Sequence, residues 1–236
     1  QKSKRYIPIN AICRDNDKKN RGSNKRANNL MCGRYVVKNP ILKTNKLVKT
    51  AIQVEEIENY NAHPYQKLPV IKKYKNGNTL ENLNWGLIPS WAKKKDFKAL
   101  INARLETIND KISFKELIKK FRCVAVADGF YEWKREDKKK TPYYFQRTDN
   151  KTIFFAGIYE NNQFCLITED AKDEVREIHN RQPVILNQTD INKYLNLESQ
   201  GSIFLKECNK PNLKFYEVSK DVNKPTNNNN SLINAI

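Results

Sequence analysis

The side chains in this sequence that could do chemistry are few and widely separated: five cysteines, two histidines, and acids and amides set beside aromatic residues. Glu132 lies between Tyr131 and Trp133 in a strand-like run. There, desolvation disfavours the charged carboxylate and raises its pKa toward the range useful for proton transfer. Glu132 is therefore a candidate general acid/base, with an outward-facing strand glutamate as the competing reading. His179 sits in Ile-His-Asn-Arg-Gln-Pro, a polar break after a helical pattern, where an imidazole could move protons near neutrality or simply cap the preceding turn. His63 lies in Asn61-Ala-His-Pro64 and is read as an ordinary loop residue. The cysteines (Cys13, Cys32, Cys123, Cys165, Cys208) are odd in number and never spaced as CxxC, which argues against a disulfide framework or a zinc site and for a reducing compartment. Cys123 and Cys165 fall inside apolar runs and read as buried, inert thiols. Cys32 differs: Met31-Cys32-Gly33 has the form of a translation start in front of an ordered domain, although the chain opens with Gln1.

Charge narrows the partner. Forty-four Lys+Arg against twenty-six Asp+Glu give +18, a field that attracts polyanions and repels itself in the compact state. Nucleic acid is the leading partner; a Lys- and Asn-rich composition without functional meaning is the alternative. No run approaches the ~18 to 20 apolar residues of a membrane span, so a soluble, intracellular protein is expected.

Residues 1–30 carry nine Lys/Arg and two acids with little apolar periodicity, the composition of a disordered basic extension. Beyond it, Val36-Val37 suggests a strand and 44–57 a first helix. Residues 68–74 and 80–87 flank the turn signal Asn76-Gly77 and read as a hairpin. A short helix is expected over 113–120, with Ser113 as cap and Glu116 three residues on. Strand-like runs at 123–127, 130–134, 143–147, 152–159 and 164–168 form an antiparallel meander. Helical patterns near 173–179, 189–195 and 202–208 precede a last strand at 213–218. The lysine-rich turn from Lys134 to Lys140 is read as lying away from any chemistry. Residues 226–236 read as a polar, mobile tail.

Seven stretches then resemble, in order, the SRAP family: Met31-Cys-Gly-Arg-Tyr35, Asn61-Ala-His-Pro64, Trp85-Gly-Leu-Ile-Pro89, Ile101-Asn-Ala-Arg-Leu-Glu-Thr107, Ala127-Asp-Gly-Phe-Tyr-Glu-Trp133, Ile178-His-Asn-Arg-Gln-Pro183 and Val218-Ser219. The resemblance implies one α+β domain over 31–225, with a largely antiparallel, strongly curved, barrel-like β core and flanking helices. It also implies a protein that binds single-stranded DNA and shields abasic sites during the DNA damage (SOS) response. Cys32, exposed by removal of methionine, would bond to the ring-opened aldehyde of the abasic deoxyribose. An N-terminal cysteine suits that role. Its α-amine, with a pKa near ~7.7 to 8.0, is largely available near neutrality, whereas lysine near ~10.4 is mostly protonated. The amine forms an imine and the thiolate closes on it as a thiazolidine.

An internal cysteine has an amide nitrogen and cannot make that product, so residues 1–31 are expected to be an annotation or reading-frame extension or to be removed by processing, the remaining alternative being that the protein lacks the covalent activity. Under the same resemblance Cys32, Glu132, His179 and Asn61 form the catalytic set. Asn61 and Asn102 orient cysteine and sugar, or else are turn-forming residues. Arg34, Arg104 and Arg181 grip phosphates bidentately. Trp85 and Trp91 wedge or stack against a base, with core packing the competing reading for Trp85. Cys32, Asn61, Glu132 and His179 are expected to converge in one basic cleft.

No cofactor or metal is expected, and the protein is expected to act as a monomer, in the cytoplasm near the nucleoid in a bacterium or in the nucleus of a eukaryote. Two other functions fit the same residues. One is a cysteine peptidase, in which Cys32 is nucleophile and His179 base, with the Met31-Cys32 bond itself a candidate substrate. The other is a non-covalent nucleic-acid-binding module.

Overall fold

The computed structural model describes residues 33–93, 97–137 and 139–236; the basic extension and Cys32 lie outside them. In chain order the strands are β1 (Tyr35–Lys38), β2 (Thr50–Ile52), β3 (Glu58–Ala62), β4 (Lys67–Tyr74), β5 (Gly77–Trp85), β6 (Asn102–Arg104), β7 (Arg122–Ala127), β8 (Gly129–Glu136), β9 (Lys139–Arg147), β10 (Ile153–Glu160), β11 (Gln163–Asp170), β12 (Arg181–Pro183), β13 (Ile185–Leu186) and β14 (Leu213–Glu217). Short helices interrupt them: α1 (Pro40–Thr44), α2 (Leu117–Lys120), α3 (Asp173–Arg176), α4 (Ile191–Leu195) and α5 (Gly201–Glu207).

One sheet runs β14-β9-β8-β1-β3 and the other β12-β11-β10-β7-β4-β5-β2. The larger sheet closes on itself. β11 pairs antiparallel with β10 and also parallel with the end of β5, at Asn84↔Gln163 and Trp85↔Phe164, so the path from β11 through β10, β7, β4 and β5 returns to β11. This is the α+β fold with a curled, largely antiparallel core.

β7 shows why the core sits here. All six of its residues are buried, as a near-continuous apolar run demands when both faces are covered. Val124 and Val126 pack with Phe154, Ala156 and Ile158 beneath α2, α4 and α5. On the opposite face Cys123, Ala125 and Ala127 meet Phe155 and Trp85, then Tyr35, Phe130 and Phe145 of the smaller sheet. Cys123 and Cys165 are buried, and burial pushes both thiols up, so they are inert as expected.

The expected hairpin forms as β4 and β5, with Gly77 supplying a positive φ of 130° at the turn. Three expectations are corrected. The helix expected over 44–57 does not form: the single turn α1 ends at Thr44, and Thr50–Ile52 instead adds a parallel strand to β5, where β-branched side chains suit an edge. The helix over 113–120 shortens to α2 without a side-chain cap, so Ser113 does not cap it. The tail is packed: Leu232 is 1% exposed, and Val218 bridges to Ala235.

Candidate functional site

The site is set by the pairing of β1 with β8. Tyr35 pairs with Phe130 and Val36 with Gly129, and the Tyr131 amide donates to the Arg34 carbonyl at 3.0 Å. Carried one residue further, this register brings Gly33 alongside Glu132. Glycine is required at 129, because a Cβ there would lie 2.3 Å from the Tyr144 hydroxyl oxygen and 2.5 Å from the Phe145 carbonyl. Alternation along β8 puts Glu132 on the inward face with Phe130, and Tyr131 with Trp133 on the other. Glu132 is 2% exposed.

Beside Gly33 opens a cleft of about 410 Å³, lined by Arg34, His63, Tyr65, Trp133 and Lys140 and closed by Asn223 and Pro225 of the C-terminal segment. Arg34 Nη1 donates to Asn61 Oδ1 and to the Val222 carbonyl, both at 2.7 Å. Burial lowers the Arg34 pKa. Asn61 Nδ2 is shared among the carbonyls of Val222, Lys224 and Asn227, at 3.3, 3.1 and 2.9 Å. Trp133 Nε1 donates to Asn223 Oδ1 at 2.7 Å. The C-terminal segment is thus a strap pinned by three side chains of the site. Lys140 Nζ sits 4.7 Å from the centroid of the Trp133 ring.

Tyr65 has φ +74°, a left-handed conformation costing about 1–3 kcal/mol for a bulky residue, yet its side chain is 66% exposed. Its amide donates to the Trp85 carbonyl at 2.7 Å, which holds the strained turn in place. His63 turns inward beside it, Nδ1 donating to the Pro64 carbonyl at 2.8 Å.

A second group of polar side chains gathers around the end of β11. β6 pairs in parallel with it, Leu166↔Asn102 and Thr168↔Arg104, and β12 lies on its other side, Asp170↔Arg181. Arg104 is exposed and Asn102 half-buried. Arg181 is not free: its guanidinium donates to both Glu106 carboxylate oxygens, at 2.7 and 2.9 Å, to Asp170 and to the Thr168 carbonyl. His179 is half-buried at the end of the α3 turn, its Nδ1 within hydrogen-bond distance of both the Arg181 amide, at 3.1 Å, and the Arg181 carbonyl, at 3.2 Å.

The sequence over residues 31–225 matches the model of the family SOS response associated peptidase (SRAP). The chain belongs to the SRAP family. It is 33% identical over 223 residues to the abasic site processing protein YoqW of Bacillus subtilis, covering 87% of this chain and 100% of that one. It is 32% identical over 155 residues to YedK of Escherichia coli, covering 62% and 68%, and 30% identical over 213 residues to HMCES of Gallus gallus, covering 71% and 63%. A crystal structure from Bacteroides thetaiotaomicron shares the fold, with a TM-score of 0.71 at 23% identity over 87% of this chain and all of that one.

Against the SRAP motifs, several expected roles change. Trp85 is wholly buried between Tyr35 and Phe164, its indole N–H donating to the Ile101 carbonyl at 3.0 Å, so it offers no face to a base. Trp91 is 55% exposed, braced edge-on by Phe97. Asn61 is consumed by Arg34 and the strap, so it shapes the cleft rather than touching a ligand in it. Arg181 is buried in its acid cage and has no free fork for a phosphate. Cys32 lies outside the described residues, so the expected convergence on its sulfur does too.

Three wall residues were not singled out from sequence. His63 looked like loop filler. Lys140 was hidden in a lysine-rich turn that reads as a solvated charge run. For Tyr65 the signal is a positive φ, which no residue pattern displays.

Proposed function

We propose that the protein binds single-stranded DNA and captures abasic sites covalently through Cys32 as the N-terminal residue of the mature chain, shielding the lesion. The observation that carries this reading is the β1–β8 register, which leads the chain out of the smaller sheet at Gly33, in register with buried Glu132 on one face of β8 and beside the basic, aromatic cleft on the other. The relatives' names, abasic site processing proteins, point the same way.

In this mechanism the Cys32 α-amine adds to C1′ of the ring-opened deoxyribose. Loss of water gives an imine, and the thiol adds across it to close the thiazolidine, so the adduct weighs one water less than its parts. Glu132 moves the protons of addition and dehydration. His179 assists sugar-ring opening. Arg34 and Arg104 supply positive charge along the strand and Trp91 a stacking face.

The test uses protein beginning at Cys32 and a single-stranded oligonucleotide bearing one abasic site. A denaturation-resistant adduct lacking one water is expected. Cys32→Ser keeps the amine and gives at most a labile imine. Cys32→Ala gives no stable Cys32 adduct but still binds. Glu132→Gln slows adduct formation about 10²-fold. A chain in which residues 1–31 stay attached has an acylated Cys32 nitrogen and makes no thiazolidine. If that chain forms the same stable product as the Cys32-first protein, the mechanism is wrong.

A further inference from the structure

We propose that Lys140 is a second carbonyl-reactive group of the cleft, forming a reversible imine with the abasic-site aldehyde that requires no free N-terminus. The proposal rests on the cleft being the abasic-site pocket.

Three observations lead to it. Among the described residues, Lys140 is the lysine on the wall of the cleft that holds Gly33 and Arg34. It pairs with Arg135 across the β8–β9 hairpin, which puts it on the Trp133 side of the strand, and its Nζ lies 4.7 Å from that ring's centroid. The amine thus lies over an aromatic face at the rim of the cleft, where an aldehyde entering the cleft would meet it.

Its electrostatics favour the neutral amine. Desolvation at the cleft wall lowers the Lys140 pKa most, followed by the guanidinium of Arg135; Glu132 pulls the other way, and Arg34 adds the smallest push downward. The Trp133 ring face favours the ammonium, but only weakly, because the contact is open to solvent. A larger fraction of this lysine is therefore nucleophilic near neutrality than of an ordinary exposed one.

The step balances without any added reagent. The neutral amine attacks C1′ of the aldehyde, its first proton passes to the former carbonyl oxygen to give the carbinolamine, and its second leaves with that hydroxyl as water, giving C=N. Hydrolysis reverses it. The consequence bears on the thirty-one residues ahead of Cys32: with them attached, the Cys32 nitrogen is an amide, while the Lys140 route remains open.

The experiment takes the full 236-residue chain carrying Cys32→Ala, mixes it with single-stranded DNA containing an abasic site, and adds cyanoborohydride to reduce any imine to a stable amine. A trapped species is expected, with Lys140 as the modified residue in peptide mass mapping. Lys140→Arg keeps the charge but removes the reactive amine, and in the same background trapping should fall at least about tenfold. The pH profile of trapping should rise at lower pH than the ~10.4 of an unperturbed lysine.

Equal trapping by the Lys140→Arg variant, or mapping to another lysine, overturns the proposal. Absence of trapping from a strand that the protein binds overturns it while leaving the Cys32 reading intact. Failure of the Cys32-first protein to bind abasic DNA overturns both.

Discussion

The guanidinium of Arg181, expected from the motif to grip a phosphate, is spent inside the protein. Burial alone would raise the Glu106 carboxyl, but the hydrogen bonds and charge of Arg181 outweigh it and hold Glu106 below its ordinary value. A carboxyl lowered in the folded state binds fewer protons there than in the unfolded chain. Its stabilisation is therefore complete above about pH 4.3 and is lost as pH falls through the folded value. Arg181→Met should lower stability at pH 7 by about 1–3 kcal/mol, less than a fully buried pair because Glu106 and Asp170 keep contact with water. The same variant should lose less than the wild type between pH 7 and pH 3. Urea midpoints at the two pH values check both statements; a parallel loss in the two proteins would show that the Arg181–Glu106 pair does not set the acid limb.

Among the elements, the turn between β3 and β4 carries stored strain. Tyr65 keeps φ +74° while most of its ring faces solvent, so packing does not account for a tyrosine there. Strain of this kind gathers at functional sites, and this ring stands on the cleft wall. Tyr65→Gly should raise stability by about 1 kcal/mol, since glycine takes positive φ without penalty. Tyr65→Ala, which keeps the Cβ, should not. Both should weaken single-stranded DNA binding by about 1 kcal/mol or more, the low end for one stacked base. Thermal melting paired with fluorescence anisotropy separates the effects; unchanged affinity in both variants would remove Tyr65 from the binding surface.

For the whole molecule, the last eighteen residues complete the site. The strap covers Val36, Tyr131, Tyr144 and Val218 with Val222 and Leu232 and takes the hydrogen bonds of Arg34, Asn61 and Trp133. Ending the chain after Val218 should lower the melting temperature by several degrees and abolish adduct formation even where DNA still binds. Retention of full adduct yield would show that the strap only covers the core.

The +18 charge makes a separate prediction. DNA affinity should fall steeply with salt as counterions are released, and at ~0.15 M salt single strands should be bound in preference to duplex, because a narrow aromatic cleft admits one backbone. Equal affinity for the two would favour a generic binding module.

How much of this was legible in the sequence follows from the range of the forces involved. The meander from β7 to β11 and the β4–β5 hairpin were readable because alternation, apolar runs and an Asn-Gly turn are local signals. The motif residues were readable because their types and order persist along the chain. What each does depends on neighbours distant in sequence. Trp85 became core and Arg181 became caged only when β11 closed against β5 and lay beside β12. Asn61 became a clamp only when the strap arrived from more than 160 residues away. Tyr65, His63 and Lys140 became the walls of one cleft by the same long-range pairing, which no local pattern records.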